Sequence, residues 1–254
     1  MKHSAKGTPA ILAVTSFVFT LLLFICIKPI AQDPAYHQFA DPEMLLGIPC
    51  CWNVISNLGF VVVGVYGFII LTKYSIHSLF SYILFAGIVL TGLGSAYYHC
   101  HPDNSTLVWD RIPMTIVFTS FFAQLYAWYF SGRTAMFIWI ISIVTGIFSV
   151  FYWQYTESLH RGDLRLYALI QYLPMILIAI ILTRHFRQNT FLLKPLLYIL
   201  VLYIVAKLFE HFDLIIYRAC NFISGHSLKH IAAAMATYFM VVIVRKHANS
   251  TQVE

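Results

Sequence analysis

Three histidines, a serine and an aspartate stand out in a chain that is otherwise almost entirely apolar. Ser95 and His99 lie in Gly92-Leu93-Gly94-Ser95-Ala96-Tyr97-Tyr98-His99, and Asp110 follows in Asp110-Arg111-Ile112-Pro113-Met114. His226 and His230 lie far away, in Ser224-Gly225-His226-Ser227-Leu228-Lys229-His230. Imidazoles and carboxylates are costly in hydrocarbon and tend to face a cavity or a functional site. Three His ligands with one open position make a catalytic zinc site. The chemistry these residue types point to is metal-assisted hydrolysis inside a membrane.

Each residue also has a plainer role. His226 and His230 are four apart, so on a helix both imidazoles share a face and reach one ion. Their plainer role is a pair of interfacial histidines. Ser224-Gly225 before them reads as a cap and turn. Ser95 and His99 are likewise four apart. Gly92 and Gly94 allow a close helix or substrate chain, or serve packing alone. Ser95 could equally bond its own helix. Asp110 is a proton acceptor or simply an acid favoured by a helix N-terminus. Pro113 is expected in the first turn of the helix that Asp110 opens. His101 reads as loop. Lys207 and Glu210 are spaced to pair within one helix, with His211 and Asp213 beyond them. Asn53, Ser56 and Asn57 are placed to hydrogen-bond between helices. Paired membrane histidines also ligate haem iron, typically as two pairs on facing helices.

The elements that must position these groups are helices in lipid. The chain is 60% hydrophobic and 10% charged, with a mean hydropathy of +0.77. Soluble domains carry about 25% charged residues. The fold class expected is an all-α integral membrane protein, a seven-helix transmembrane bundle plus one extra N-terminal transmembrane helix. The apolar stretches are 9–29, 52–72, 79–99, 112–130, 134–153, 166–184, 192–212 and 227–245, each long enough to cross a bilayer. Short loops make one domain over 46–246, with an anchor helix and outer loop in 1–45 and a tail in 247–254. Lys2, His3 and Lys6 flank the first stretch like a signal-peptide start. Its length and the lack of a small-residue cleavage site make it a retained anchor. The net charge of +6 is spread without a basic run, so nucleic acid is not an expected partner.

With both termini cytoplasmic, nine Lys and Arg fall inside: Lys2, Lys6, Lys73, Arg133, Arg184, Arg187, Lys194, Arg245 and Lys246. Seven fall outside: Lys28, Arg111, Arg161, Arg165, Lys207, Arg218 and Lys229. The inner excess favours this orientation. It places His99, Asp110 and His226 at the same outer face, separated by an even number of crossings. Cys26, Cys50, Cys51, Cys100 and Cys220 also fall outside, where disulfides form. The odd count leaves one unpaired and the pairing open. Asn104-Ser105-Thr106 is a glycosylation sequon.

The order G-x-G-S-x-x-Y-H, then D-x-x-P-M, then a late H-x3-H resembles the alkaline ceramidase family. That family belongs to a superfamily of seven-span hydrolases which includes the adiponectin/progestin-type receptors. The resemblance covers about 52 to 245 and leaves the first span outside. It implies that His99, His226 and His230 hold zinc, with Ser95 and Asp110 beside the metal. It implies hydrolysis of a ceramide-like lipid, drawn from the bilayer, to a sphingoid base and a fatty acid. Asp110 would take the proton from water and pass it to the leaving amine. Ser95 would donate to the developing oxyanion. The acidic, Trp-containing calcium-binding segment of eukaryotic members is not reproduced between Asp41-Pro42-Glu43 and Cys50-Cys51-Trp52, which argues against calcium. Bacterial membrane proteins of this family look most like the chain, implying an inner-membrane location. Two other readings share the motif: a phospholipid-ester hydrolase, and a receptor-like or structural member that keeps zinc without turnover. Protein partners are not indicated.

Overall fold

The computed structural model describes residues 7–41, 43–45, 47–185 and 190–251. Lys2, His3, Lys6, Pro42, Arg187 and Glu254 lie outside these. Among the described residues the chain forms ten α-helices. They are α1 (Thr8–Cys26), α2 (Cys51–Ser56), α3 (Leu58–Lys73), α4 (Leu79–Cys100) and α5 (Leu107–Tyr129). After these come α6 (Gly132–Ser158), α7 (Arg165–His185), α8 (Thr190–His211), α9 (Asp213–Cys220) and α10 (Gly225–Thr251). A short 3-10 turn, Pro34–His37, lies between α1 and α2. The protein is an all-α, multi-pass membrane protein.

Local chemistry sets the helix ends. Ser78 and Ser131 cap α4 and α6, their hydroxyls accepting from the backbone N–H groups of Ser81 and Thr134. Inside the helices, Thr91 and Thr119 donate to carbonyls one turn back, which satisfies a hydroxyl where no water is available. The second expected stretch breaks at Asn57. Its amide donates to the Asn53 carbonyl, and its backbone N–H bonds Val54, one residue short of the α-helical register. The fourth stretch begins five residues before its expected start. Asp103 Oδ1 accepts from the N–H groups of Ser105 and Thr106, each at 2.7 Å, and starts the turn that leads into α5. Asp110 therefore lies in the first turn of α5, and Pro113 lies beyond that turn.

Among the described residues, seven helical segments are long and apolar enough to cross a membrane: α1, α2 with α3, α4, α6, α7, α8 and α10. On α1, Val14, Phe17 and Ile25 are 62%, 68% and 72% exposed, which suits contact with lipid chains. The eighth long helix, α5, has 23 residues and is not among these segments. Its Thr115, Thr119, Ser120 and Gln124 are all buried, so its polar groups are turned away from the surroundings.

The chain divides into two compact units, Met1–Gln32 with Met114–Leu193 and Asp33–Pro113 with Lys194–Glu254. In the first unit, Arg165 pairs with Asp163 at 2.7 Å and donates to the Ile27 carbonyl at 2.9 Å, just past α1. Glu157 accepts from Trp153 Nε1 and from the Gln32 backbone N–H. The second unit contains α2, α3, α4, α9, α10, the start of α5 and all but the first residues of α8. It holds Ser95, His99, Asp110, His226 and His230.

Candidate metal centre

Two helix ends supply the histidines. The last turns of α4 carry Ser95 and His99, and the first turns of α10 carry His226 and His230. The start of α10 is built by its neighbours. Ser224 Oγ accepts from the Ser227 N–H, and Asp213 Oδ1 accepts from the His226 N–H at 2.7 Å. A side chain at Gly225 would collide with the Phe209 carbonyl and crowd the Asp213 Cα, so only glycine lets α10 start this close. Asn53 Oδ1 then accepts from both Ser224 and Ser227, at 3.1 and 2.6 Å.

The three imidazoles converge. His99, His226 and His230 are all buried, and their candidate ligand atoms lie within 4.8 Å of one another. Their ring centroids are 4.8 to 4.9 Å apart. His99 Nε2 and His230 Nε2 are 3.3 Å apart. Two nitrogens each about 2.0–2.1 Å from one zinc at a tetrahedral angle would be separated by about 3.3–3.4 Å. Ser56 Oγ lies 2.9 Å from His230 Nδ1 and donates to the Asn53 carbonyl at 3.0 Å, and that carbonyl also hydrogen-bonds His230, so both oxygens suit a proton on Nδ1. The Nε2 lone pair is then directed at the triad, an arrangement typical of metal-ligating histidine. His99 Nδ1 is buried without a hydrogen-bond partner. An all-imidazole donor set suits zinc and its transition-metal neighbours, whereas calcium and magnesium take oxygen ligands. The residues present fit a metal ion.

Ser95 and Asp110 are brought together beside this end of α4. The Ser95 hydroxyl donates to the Asp110 carboxylate, and the charges of Lys229, Arg111 and Glu210 are within electrostatic reach of that carboxylate. Pro113 has no N–H to give the Trp109 carbonyl four residues earlier. That same carbonyl abuts Gly94, where any side chain would collide with it. Gly92 likewise faces the Asn57 carbonyl, where an added Cβ would lie at 2.8 Å. Both glycines therefore serve close backbone approach, and the one at 94 brings Asp110 to Ser95.

Several functional neighbours were not singled out by the motifs. Lys229 Nζ donates to Glu210 Oε1 at 2.8 Å and lies 3.3 Å from His226 Nε2. Lys207 takes the other oxygen of Glu210 at 2.7 Å, as its spacing predicts. The position of Lys229 between two candidate ligands was the available signal. The segment before α2 crosses the centre: the Phe39 ring lies 4.5 Å from that of His99 and 4.6 Å from that of His226. It is held by His37, whose Nδ1 is 2.9 Å from Tyr98 Oη and whose Nε2 is 2.9 Å from Asn104 Oδ1. The Ala40 N–H donates to Asp213 Oδ2. No periodicity marks this segment. All five cysteines are free thiols.

A family model described as Ceramidase matches residues 48–252. The match takes in both helix ends of the triad, Ser95 and Asp110, and leaves out α1 and the segment carrying His37 and Phe39. No curated protein matches the chain.

Proposed function

The chain belongs to the ceramidase family, and on that premise we propose that it is a zinc-dependent intramembrane amidase which cleaves ceramide-like lipids to a sphingoid base and a fatty acid. The observation that carries this reading is the buried convergence of His99, His226 and His230, with the Ser95–Asp110 pair at the same end of α4. The three histidines would hold the ion. When bound, zinc activates water and polarises the acyl carbonyl.

The chain's own residues handle the protons. Water adds across the amide C–N bond, so the acyl carbon gains the oxygen and the nitrogen gains the proton. Asp110 accepts the proton from water and returns it to the departing nitrogen. Ser95 first donates to Asp110 and holds it in place. Once Asp110 carries the proton, it becomes the donor of that pair, and the serine hydrogen is free to turn to the acyl oxygen. The orientation proposed has both termini cytoplasmic and the site outside, in a bacterial inner membrane. The nine inner against seven outer Lys and Arg support this orientation.

Purified protein and His230→Ala are incubated with a panel of ceramides and phospholipids, and products are followed by mass spectrometry. Sphingoid base and fatty acid released by the wild type alone are expected. Lysophospholipid would keep the mechanism and replace the substrate. No product from any lipid, with the metal retained, would favour a receptor-like or structural role.

A further inference from the structure

We propose that Lys229 is a catalytic residue, its ammonium receiving the anionic acyl oxygen of the substrate; this rests on the amidase reading above. The oxygen is met twice, as charge developing on the carbonyl and then as the carboxylate of the released fatty acid.

The argument begins with charge. Glu210 is one carboxylate served by two ammonium groups, Lys207 at 2.7 Å and Lys229 at 2.8 Å, on separate oxygens. Lys207 is 48% exposed and Lys229 20%, so the charge of Lys207 reaches the surroundings and that of Lys229 is the less screened of the two. Glu210 and the Asp110 carboxylate are both within electrostatic reach of Lys229, and two ammonium groups sharing one Glu210 carboxylate leave room for a further anion. The Lys229 ammonium lies beside the triad, because its Nζ is 3.3 Å from His226 Nε2.

Geometry gives the same direction. An ammonium has three N–H donors. One is spent on Glu210 and a second lies within reach of His226, so a third remains. The side chain is only 20% exposed, so this donor acts where water screens it poorly. Lys229 sits between His226 and His230 in sequence and is fixed from α8 by Glu210. A donor fixed before the reaction stabilises developing charge without reorganising, and removing one such donor typically slows turnover by about two to three orders of magnitude.

The test uses the full-length, zinc-loaded protein. Lys229→Met, Lys229→Gln and Lys229→Arg are compared with wild type in metal content, in kcat and KM, and in binding of a long-chain fatty acid against the fatty alcohol of equal length. Lys229→Met is expected to keep its metal and to lose about a hundredfold in kcat with little change in KM. It is expected to bind the acid at least about tenfold more weakly and the alcohol as before, with Lys229→Arg recovering part of both. Lys229→Gln gives the same comparison should Lys229→Met fold poorly. Unchanged kcat and unchanged acid binding would overturn the proposal. So would a gain or loss of metal that accounts for the whole effect, since the lysine would then act on the triad. If the wild type turns over no lipid, the amidase reading fails, and the acid-against-alcohol comparison still decides whether Lys229 binds an anionic acyl group.

Discussion

Ser56 Oγ lies 2.9 Å from His230 Nδ1 while donating its own hydrogen to the Asn53 carbonyl, so this hydroxyl and that carbonyl together favour the proton on Nδ1 and leave Nε2 for a metal. Removing an outer partner of this kind typically costs about 10- to 100-fold in metal affinity. Ser56→Ala is expected to weaken zinc binding by that order. Competition with a chelator measures it, and wild-type affinity would show that the tautomer is fixed in another way.

Gly94 is where α4 and the start of α5 touch. Gly94→Ala sets a methyl against the Trp109 carbonyl. Overpacking of this kind costs about 1–3 kcal/mol. The expected result is a lower melting temperature and lost turnover with zinc retained, because the three histidines come from α4 and α10. Loss of metal and activity together would place the damage in the fold of α4 itself.

Asp110 and Ser95 should separate from the metal in the same way. Asp110→Asn keeps the shape but cannot take a proton, and the expected loss of turnover is about 10²- to 10⁴-fold with zinc intact. Ser95→Ala should cost less, since Asp110 keeps its charge. Steady-state kinetics alongside metal analysis decides this, and an active Asp110→Asn protein would remove it as the proton acceptor.

Phe39 covers two of the three imidazoles. Phe39→Ala is expected to speed removal of zinc by an external chelator several-fold while leaving equilibrium affinity little changed. Stripping followed by stopped flow reads this directly. An unchanged rate would mean that the ring does not limit access.

Outside the spans, Asp163 is held below the usual carboxylate range, first by its hydrogen bond from Arg165. A depressed folded value means stability that is present above the ordinary carboxylate pKa, about 3.9, and lost as pH falls through the folded value. Asp163→Asn should therefore lower the melting temperature at neutral pH, and the difference from wild type should shrink below about pH 4. A difference independent of pH would assign the loss to packing.

The helices and the two histidine-bearing pairs were legible because they rest on local spacing, while the joining of His99 to His226 and His230 came from the family resemblance. Apolar runs of about 20 residues read as spans, and the i,i+4 pairs Ser95/His99 and His226/His230 read as shared faces. What local spacing misled was the start of α5: Pro113 resembled a first-turn proline, while the Asp103 cap sets the start earlier. What was hidden depends on distant partners. Lys229 shows only its charge until Glu210, 19 residues away, fixes its direction. The segment around Phe39 has no pattern of its own, and its place is set by Asp213, 173 residues from Ala40.

That last contact has its own consequence. Asp213 uses one oxygen for the His226 N–H and the other for the Ala40 N–H. The covering segment and the helix that carries two of the histidines thus share one anchor. A substitution at Asp213 is therefore expected to disturb the covering segment and the start of α10 together, whereas one at His37 would loosen the segment only where it meets Tyr98 and Asn104.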